Sequence, residues 1–382
     1  MEPSSTRSTS GGPTSPTSGA PTKKVSGLGL GLGLELKRLG SELRHGFERA
    51  FSFHSDPSDG KTPKTPAARA KSGKFHLTSS RSLGSSLGQS AEEKVKALET
   101  HVFHGILAKG EHLEDFYVLG QEIGKGAFGV VKQCVDKATG TILCCKSIPK
   151  AALTDKMFAD IKLEAEIMMH LRGHPHVVSI YGLFEDDEHL HIVEEMCTGG
   201  DLHTKLTRSL VPYTEKEAAG IMRAVLGVLQ HCHDMGVAYR DVKPDNFLLS
   251  TDGPDAVLKA TDFGISRFMT PGETTDEYCG TPNYMAPEVF NMEAGFPADV
   301  WAAGVTMYFT LTGEFPFNGR SRMALAQAVC GHPVKFNGAA WEGVSEGAKD
   351  LVSQMLIKDP KKRPTAKELM NHPWFLEVAG VK

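Results

Sequence analysis

An acid, a base and an amide crowd into one short stretch of an otherwise apolar run. In "VAYRDVKPDNFLL", residues 237–249, Arg240 precedes Asp241, Lys243 stands two residues on and Asn246 five. Upstream, Gly124, Gly126 and Gly129 keep G-x-G-x-x-G spacing, and glycines let a backbone lie over phosphates with no Cβ in the way. In dinucleotide-binding folds that pattern opens a helix; here "VVKQCV" continues as a strand, so the turn joins two strands. Seventeen residues after Gly129 comes Lys146, inside the apolar "TILCCKSI". A lone Lys in such a strand ordinarily snorkels at an edge. Glu164 or Glu166, on the next helical stretch, gives it a partner. "TDFG" at 261–264 and "APE" at 286–288 follow. A glycine turn, a strand cation and closely spaced acids are the equipment for holding phosphates.

These groups need elements to hold them. "FYVLGQEIGKGAFGVVKQCVDKATGTILCCKSI" alternates as strands do, and "ALTDKMFADIKLEAEIMMHL" reads as a helix. From about Asp201 onward the pattern is mostly helical, with loops at the polar motifs. No internal repeat of the solenoid kind is present.

The ordered set of glycine-rich turn, strand Lys, helix Glu, "YRDVKPDN", "DFG" and "APE" resembles the protein kinases over roughly 116–375, about two thirds of the chain. Lys243 after Asp241 is similar to the serine/threonine subclass. "KDPKKRPTAKELMNHPWF" resembles the calcium/calmodulin-dependent group, and "YVLGQEIGKGAFG" and "LRGHPHVV" resemble plant and protist calcium-dependent protein kinases. The resemblance implies an α+β, bilobal fold. A small antiparallel β lobe with one main helix (116–195) is hinged near 195–200 to a larger helical lobe (200–375). It implies transfer of the γ-phosphate of ATP, with Mg2+, to Ser or Thr hydroxyls of protein substrates.

Roles carried over by the resemblance follow, since phosphoryl transfer depends on positioning and charge neutralisation. Asp241 accepts the hydroxyl proton, Lys243 steadies the phosphoryl group, and Asn246 and Asp262 hold Mg2+. Lys146, fixed by Glu164, grips the α- and β-phosphates; Glu164 is preferred to Glu166 because it leaves Met168 one turn on to pack against Phe263 and Tyr239. The loop Ile123, Gly124, Lys125, Gly126, Ala127, Phe128, Gly129 and Val130 covers the phosphates. Adenine lies between Val131 and Cys144 above and Leu248 below, bonded to backbone at Glu195 and Cys197, with Asp201 at the ribose.

Three positions depart from the family pattern or bear on regulation. Tyr239 replaces the usual His, as it does in the cyclic-AMP-dependent group. Glu194 falls at the gatekeeper, where an unpaired buried carboxylate would be expensive, so it is expected to pair with Lys146 or be protonated and to modulate activity. A one-residue shift of alignment is the alternative. Glu277 stands where a phosphothreonine usually meets Arg240, so basal activity independent of loop phosphorylation is expected, with Thr274 and Thr275 as candidate phosphosites. Asp201 and Asp245 could receive an Arg upstream of the target, Phe309 standing where relatives carry a second acid. Tyr278, Pro282 and Met285 could receive an apolar residue after it.

Of 42 Lys/Arg and 46 Asp/Glu, thirteen and six fall in residues 1–90, leaving 29 and 40 for an acidic body. That basic tail is rich in Ser, Thr, Gly and Pro, too poor in apolar surface to offset ordering entropy, and reads as mostly disordered. Ser15, Thr62 and Thr65 precede prolines and could be phosphorylated, against the blander reading of a solvated linker. Within it, 34–53 repeats Leu36, Leu39, Leu43, Phe47, Ala50 and Phe51 at helical steps, with Lys37, Arg38, Arg44 and Arg49 on the remaining face. Such an amphipathic helix could contact a regulatory protein or a membrane surface, or have no fixed partner. Residues 91–115 lead into the body, and 376–382 form a short tail. Seven unpatterned Cys fit a reducing compartment. A cytoplasmic monomer is expected, with nuclear location second, organelle targeting a weak alternative, and no nucleic-acid partner. No D-x-D-x-D-G loop appears, so direct calcium sensing is not expected of the sequence given. Two classes remain in play: an active serine/threonine kinase, favoured by the complete residue set, and a nucleotide-binding scaffold, for which only Glu194 speaks.

Overall fold

The structure, a computed structural model, describes residue 106 and residues 111–125, 129–208 and 213–378. The readings made for 1–90, for most of the lead-in segment and for the loop tip Gly126, Ala127 and Phe128 lie outside the described residues, as does the side chain of Lys125.

The first lobe opens with a single turn of helix, α1 (Leu113–Phe116), and a five-stranded antiparallel sheet. Its strands are β1 (Tyr117–Lys125), β2 (Val130–Asp136), β3 (Ile142–Pro149), β4 (Ile180–Glu185) and β5 (His189–Glu195), in spatial order β1-β2-β3-β5-β4. The glycine-rich turn therefore joins paired strands, as its sequence context required. Strand side chains alternate between faces. Leu143 and Cys145 enter a core with Leu113, Tyr117, Cys134, Tyr181, Phe184 and Val193. Cys144 and Lys146 consequently point to the other face, the one that will line the cleft.

Helix α2 (Asp155–His170) crosses between β3 and β4. It begins at Thr154, whose Oγ1 accepts from Met157 N at 3.3 Å. Its buried stripe holds Ala165, Ile167 and Met168. Residues four apart share a helix face, so Glu164 is turned inward with Met168. Glu166 is exposed and pairs along the helix with Lys162 at 3.9 Å. Helical geometry thus turns Glu164 inward and leaves Glu166 at the surface.

The second lobe contains α3 (Leu202–Arg208), α4 (Glu215–Asp234), α5 (Pro287–Phe290), α6 (Phe296–Thr312), α7 (Arg322–Gly331), α8 (Glu346–Met355), α9 (Ala366–Leu369) and α10 (Trp374–Val378). Helix α6 is buried from Asp299 to Leu311 and is apolar nearly all round, the mark of a central helix. A Cβ on its Gly304 would stand 2.7 Å from Met355 Cβ, so glycine is what lets α8 pack this close. Two short ladders, β6 (Val237–Ala238) with β9 (Arg267–Phe268) and β7 (Phe247–Leu249) with β8 (Leu258–Ala260), carry the polar motifs. A buried ion pair, Arg363 to Glu288 at 2.6 and 3.1 Å, ties α5 to the C-terminal helices.

Candidate active site

The loop after β6 is strained and over-determined. Arg240 has φ 71, an unfavourable value for a side chain with a Cβ. Asp299, buried on α6, holds it: its two oxygens accept from Arg240 N at 2.7 Å and Tyr239 N at 2.9 Å, and His233 Nε2 lies 2.9 Å away. Tyr239 is fully buried, donates its hydroxyl to Thr261 O at 2.5 Å, and meets Phe263 edge-on at 4.8 Å. It therefore fills the packing position expected of it, and the departure from His leaves the loop intact.

Four donors converge on the Asp241 carboxylate. Lys243 Nζ reaches Oδ2 at 2.6 Å and Asn246 Nδ2 at 3.0 Å, while Thr281 donates to Oδ1 from its backbone N at 3.0 Å and its hydroxyl at 2.8 Å. Lys243 also donates to Thr281 Oγ1 at 2.8 Å. Asn246 uses its amide nitrogen for Asp241, which leaves its amide oxygen to face elsewhere. The chain brings Asp262 beside it, because Thr261 N donates to Asn246 O at 3.0 Å next to the β7–β8 ladder. Asp262, at φ 60, holds a second uncommon backbone conformation. A carboxamide oxygen and a carboxylate are hard donors of the type Mg2+ takes, so these residues fit that ion.

Across the cleft, the β3–β5 register places Lys146 opposite Ile192 and Cys144 opposite Glu194. Lys146 and Glu194 are therefore diagonal neighbours on one face. The Glu164 and Asp262 carboxylates lie 3.5 and 3.2 Å from where a Cβ on Gly264 would sit. Lys146 acts on both Glu164 and Glu194, and Asp262 acts on the same two carboxyls. The direct ion pair expected between Lys146 and Glu164 is not formed among the described residues. Desolvation pushes the Glu164 carboxyl up to about 7, Lys146 opposes this, and Glu194 and Asp262 add to it. Desolvation also raises Glu194, with Lys146 lowering it and Asp262 raising it.

The nucleotide-facing residues fall as a set. Val131, Cys144 and Leu248 are part-buried, while Ile123 is exposed at the rim. Gly129 packs on β3 so closely that a Cβ would stand 2.1 Å from Ser147 O, whereas Gly124 has open space. Glu195 N is already bound to Ser179 O at 2.8 Å, so its carbonyl is the group it can offer a base. Its side chain pairs with Lys259 at 2.9 Å and anchors the hinge to β8. Asp201 caps α3, both oxygens accepting from Thr204 at 2.7 and 2.8 Å, so any ribose or Arg contact would have to share them. Asp245 is more open, with His203 Nδ1 3.9 Å away. Phe309 is buried and stacks on His203 at 5.8 Å, while Tyr278 packs on Phe290 at 6.1 Å.

Glu277 lies against two arginines. Arg240 Nη1 donates to Oε2 at 2.7 Å, and Arg267 Nε lies 3.8 Å from the same oxygen. The Arg240 hydrogen bond leads in holding this carboxyl below its ordinary value, against a desolvation penalty, and the charges of Arg240 and Arg267 assist. Arg267 then reaches Asp160 on α2 at 3.2 Å. Thr274 is exposed; Thr275 pairs with Ala294 through backbone, and its hydroxyl accepts from Glu277 N at 3.2 Å.

Sequence reasoning missed Thr281, Asp299 and the Arg267–Asp160 link. Thr281 lies only a few residues after Glu277, within reach of a local reading. Asp299 is 59 residues from its Arg240 partner, and nothing local marks it.

A family model described as "Protein kinase domain" matches residues 117–375. Calcium-dependent protein kinase 27 of Oryza sativa subsp. japonica is 45% identical over 273 residues, 71% of this chain and 44% of the relative. Calcium-dependent protein kinase 10 of the same plant is 44% identical over 274 residues, 72% of this chain and 45% of the relative. Calcium-dependent protein kinase 1 of Arabidopsis thaliana is 43% identical over 274 residues, with the same shares. The chain spans less than half the length of these relatives.

Proposed function

This chain belongs to the protein kinase family, and from that premise we propose that it transfers the γ-phosphate of ATP to Ser and Thr hydroxyls of proteins. One observation carries the reading: the Asp241 carboxylate is held by Lys243, Asn246 and Thr281 at 2.6 to 3.0 Å. A carboxylate so fixed can orient an incoming hydroxyl and take its proton as the bond to phosphorus forms. Lys243, two residues on, shifts its charge from Asp241 to the transferring phosphoryl group. Lys146 meets the α- and β-phosphates, the backbone between Gly124 and Gly129 covers them, and Glu195 and Cys197 bond the base between Val131, Cys144 and Leu248. Asn246 and Asp262 would hold Mg2+, which would supply neutralisation of phosphate charge.

Regulation follows from Glu277. A fixed carboxylate already occupies the Arg240–Arg267 pocket, so basal turnover needs no phosphate on this segment. Of the two acids considered for an upstream Arg in the substrate, Asp245 is the better receptor because Asp201 is committed to its helix cap. A second reading, a nucleotide-binding scaffold, is favoured only by the Glu194 carboxylate beside Lys146.

Transfer of labelled γ-phosphate to a generic Ser/Thr substrate tests the proposal against Asp241→Asn. The variant should lose about 100-fold or more in rate. Equal rates for the two proteins refute the catalytic reading, and absent transfer with retained nucleotide binding in the wild type favours the scaffold.

A further inference from the structure

The turn between β4 and β5 carries chemistry that phosphoryl transfer does not use. Four acids in a row, residues 185–188, precede His189 and His191. Asp186 folds the turn, its Oδ1 accepting from the backbone N–H of Glu188 at 2.8 Å and of His189 at 2.6 Å. That fixes the carboxylate and directs Oδ2 to His191, whose Nε2 lies 2.8 Å away. His189 Nδ1 approaches Asp186 Oδ1 at 3.9 Å. Two imidazoles and one carboxylate thus present ligand atoms all within 4.8 Å of one another.

We propose that Asp186, His189 and His191 form a binding site for a divalent transition metal of the Zn2+ type. Bonds of about 2.0 to 2.2 Å at tetrahedral angles put ligand atoms roughly 3.4 Å apart. Asp186 Oδ2 lies 2.8 Å from His191 Nε2, Oδ1 lies 3.9 Å from His189 Nδ1, and one ligand atom from each residue falls within 4.8 Å of the others, so side-chain rotations can bring the three to that spacing. A donor set with two imidazole nitrogens suits Zn2+ and its neighbours, whereas Mg2+ and Ca2+ take oxygen throughout.

The surroundings support the ion in two ways. His191 is buried, and its Nδ1 lies 2.9 Å from Ser147 Oγ. A hydroxyl can donate or accept, so Ser147 serves either imidazole tautomer. Without an ion, Nε2–H donates to Asp186; with one, the proton sits on Nδ1 and donates to Ser147, leaving the Nε2 lone pair for the metal. Lys150, just after β3, is taken up by Glu185 Oε1 at 2.5 Å and the Asp186 carbonyl at 3.1 Å, so it does not pair with the Asp186 carboxylate. Ser147 pairs across the sheet with His191 and directly follows Lys146, so a bound ion would brace the strand that carries Lys146.

Titration of the full chain with Co2+, a visible-absorbing stand-in for Zn2+, tests the site. One equivalent should produce a d–d band that Zn2+ displaces, and His189→Ala should weaken binding at least about 100-fold. A melting temperature raised by Zn2+ and returned by EDTA should accompany this in the wild type. In His189→Ala the metal-free melting temperature should be unchanged and the Zn2+ increment lost. No band in the wild type, or the same band and affinity in His189→Ala, overturns the proposal.

Discussion

Replacing Glu194 with Gln removes one acid from beside Lys146 while keeping side-chain length and a hydrogen-bonding head group. Because Lys146 opposes Ile192 and Cys144 opposes Glu194, the two charged residues are diagonal neighbours in the ladder. Such neighbours stand about 7 Å apart, and at an effective dielectric of ~20 unit charges at that separation attract by ~2 kcal/mol. Solvent access to the cleft reduces what reaches a measurement to about 1 kcal/mol. While Glu194 is ionised, the substitution acts on Glu164 twice: it removes a repulsion and frees Lys146 to move toward it. Both effects lower a carboxyl that desolvation, opposed by Lys146 and reinforced by Glu194 and Asp262, has pushed up to about 7. If the ionised Glu164 is what orders Lys146 for ATP, kcat/KM for ATP in the wild type should rise as pH passes through about 7. In Glu194→Gln that rise should move to lower pH by about one unit, giving several-fold higher activity near pH 6. The linkage sign agrees. A carboxyl raised from 4.5 to about 7 on folding contributes stability that is complete below 4.5 and lost as pH climbs through 7. The variant should lose less over that interval in thermal melts. Coincident pH profiles of kcat/KM for the two proteins would refute the reasoning.

Three further outcomes follow from particular contacts. Glu277→Gln weakens the link to Arg240 and Arg267; since Glu277 is half exposed, about 1 kcal/mol is at stake, or roughly fivefold in turnover. Phosphatase treatment should leave the wild type active, and a silenced wild type would contradict the role given to Glu277. Thr281→Ala deletes the hydroxyl that bonds Asp241 and Lys243 at 2.8 Å, so kcat should fall about tenfold with KM for ATP unchanged. Thr281→Ser should restore it; an equal loss in both variants would mean the methyl group, not the hydroxyl, matters. Arg363→Met strands the buried Glu288 carboxylate and should destabilise the chain by about 3 to 5 kcal/mol in denaturant melts. Adding Glu288→Leu should recover much of that loss, and failure to do so would assign the effect to packing.

The bilobal architecture and most of the site were legible because their signals are local. Strand alternation around Cys144 and Lys146, the glycine turn and the close-set polar groups from Arg240 to Asn246 all lie within short windows. That Glu164, not Glu166, faces inward follows from the four-residue helical step to Met168. What stayed hidden depends on distant partners. Asp299 reads as one acid in an apolar helix until the fold brings it under Tyr239 and Arg240. The commitment of Asp201 to its own helix cap, and the absence of a direct Lys146–Glu164 pair among the described residues, are consequences of three-dimensional competition for partners, which spacing alone does not encode.

The links between Arg240 and Glu164 explain why an acid at 277 matters beyond its own pocket. Arg240 is anchored from below by Asp299, so Glu277 binds to a fixed point rather than to a mobile chain. Arg267 continues from Glu277 to Asp160, and Asp160 lies one helical turn before Glu164 on α2. The acid at 277 therefore bears on the carboxyl that faces Lys146 through two short ionic steps and one turn of helix. Each exposed step is weak on its own, near 1 kcal/mol or less. Together they tie the activation segment to α2, the helix that carries Glu164. On the function proposed above, activation without phosphate and modulation by Glu194 would act as opposing biases on the position of one lysine.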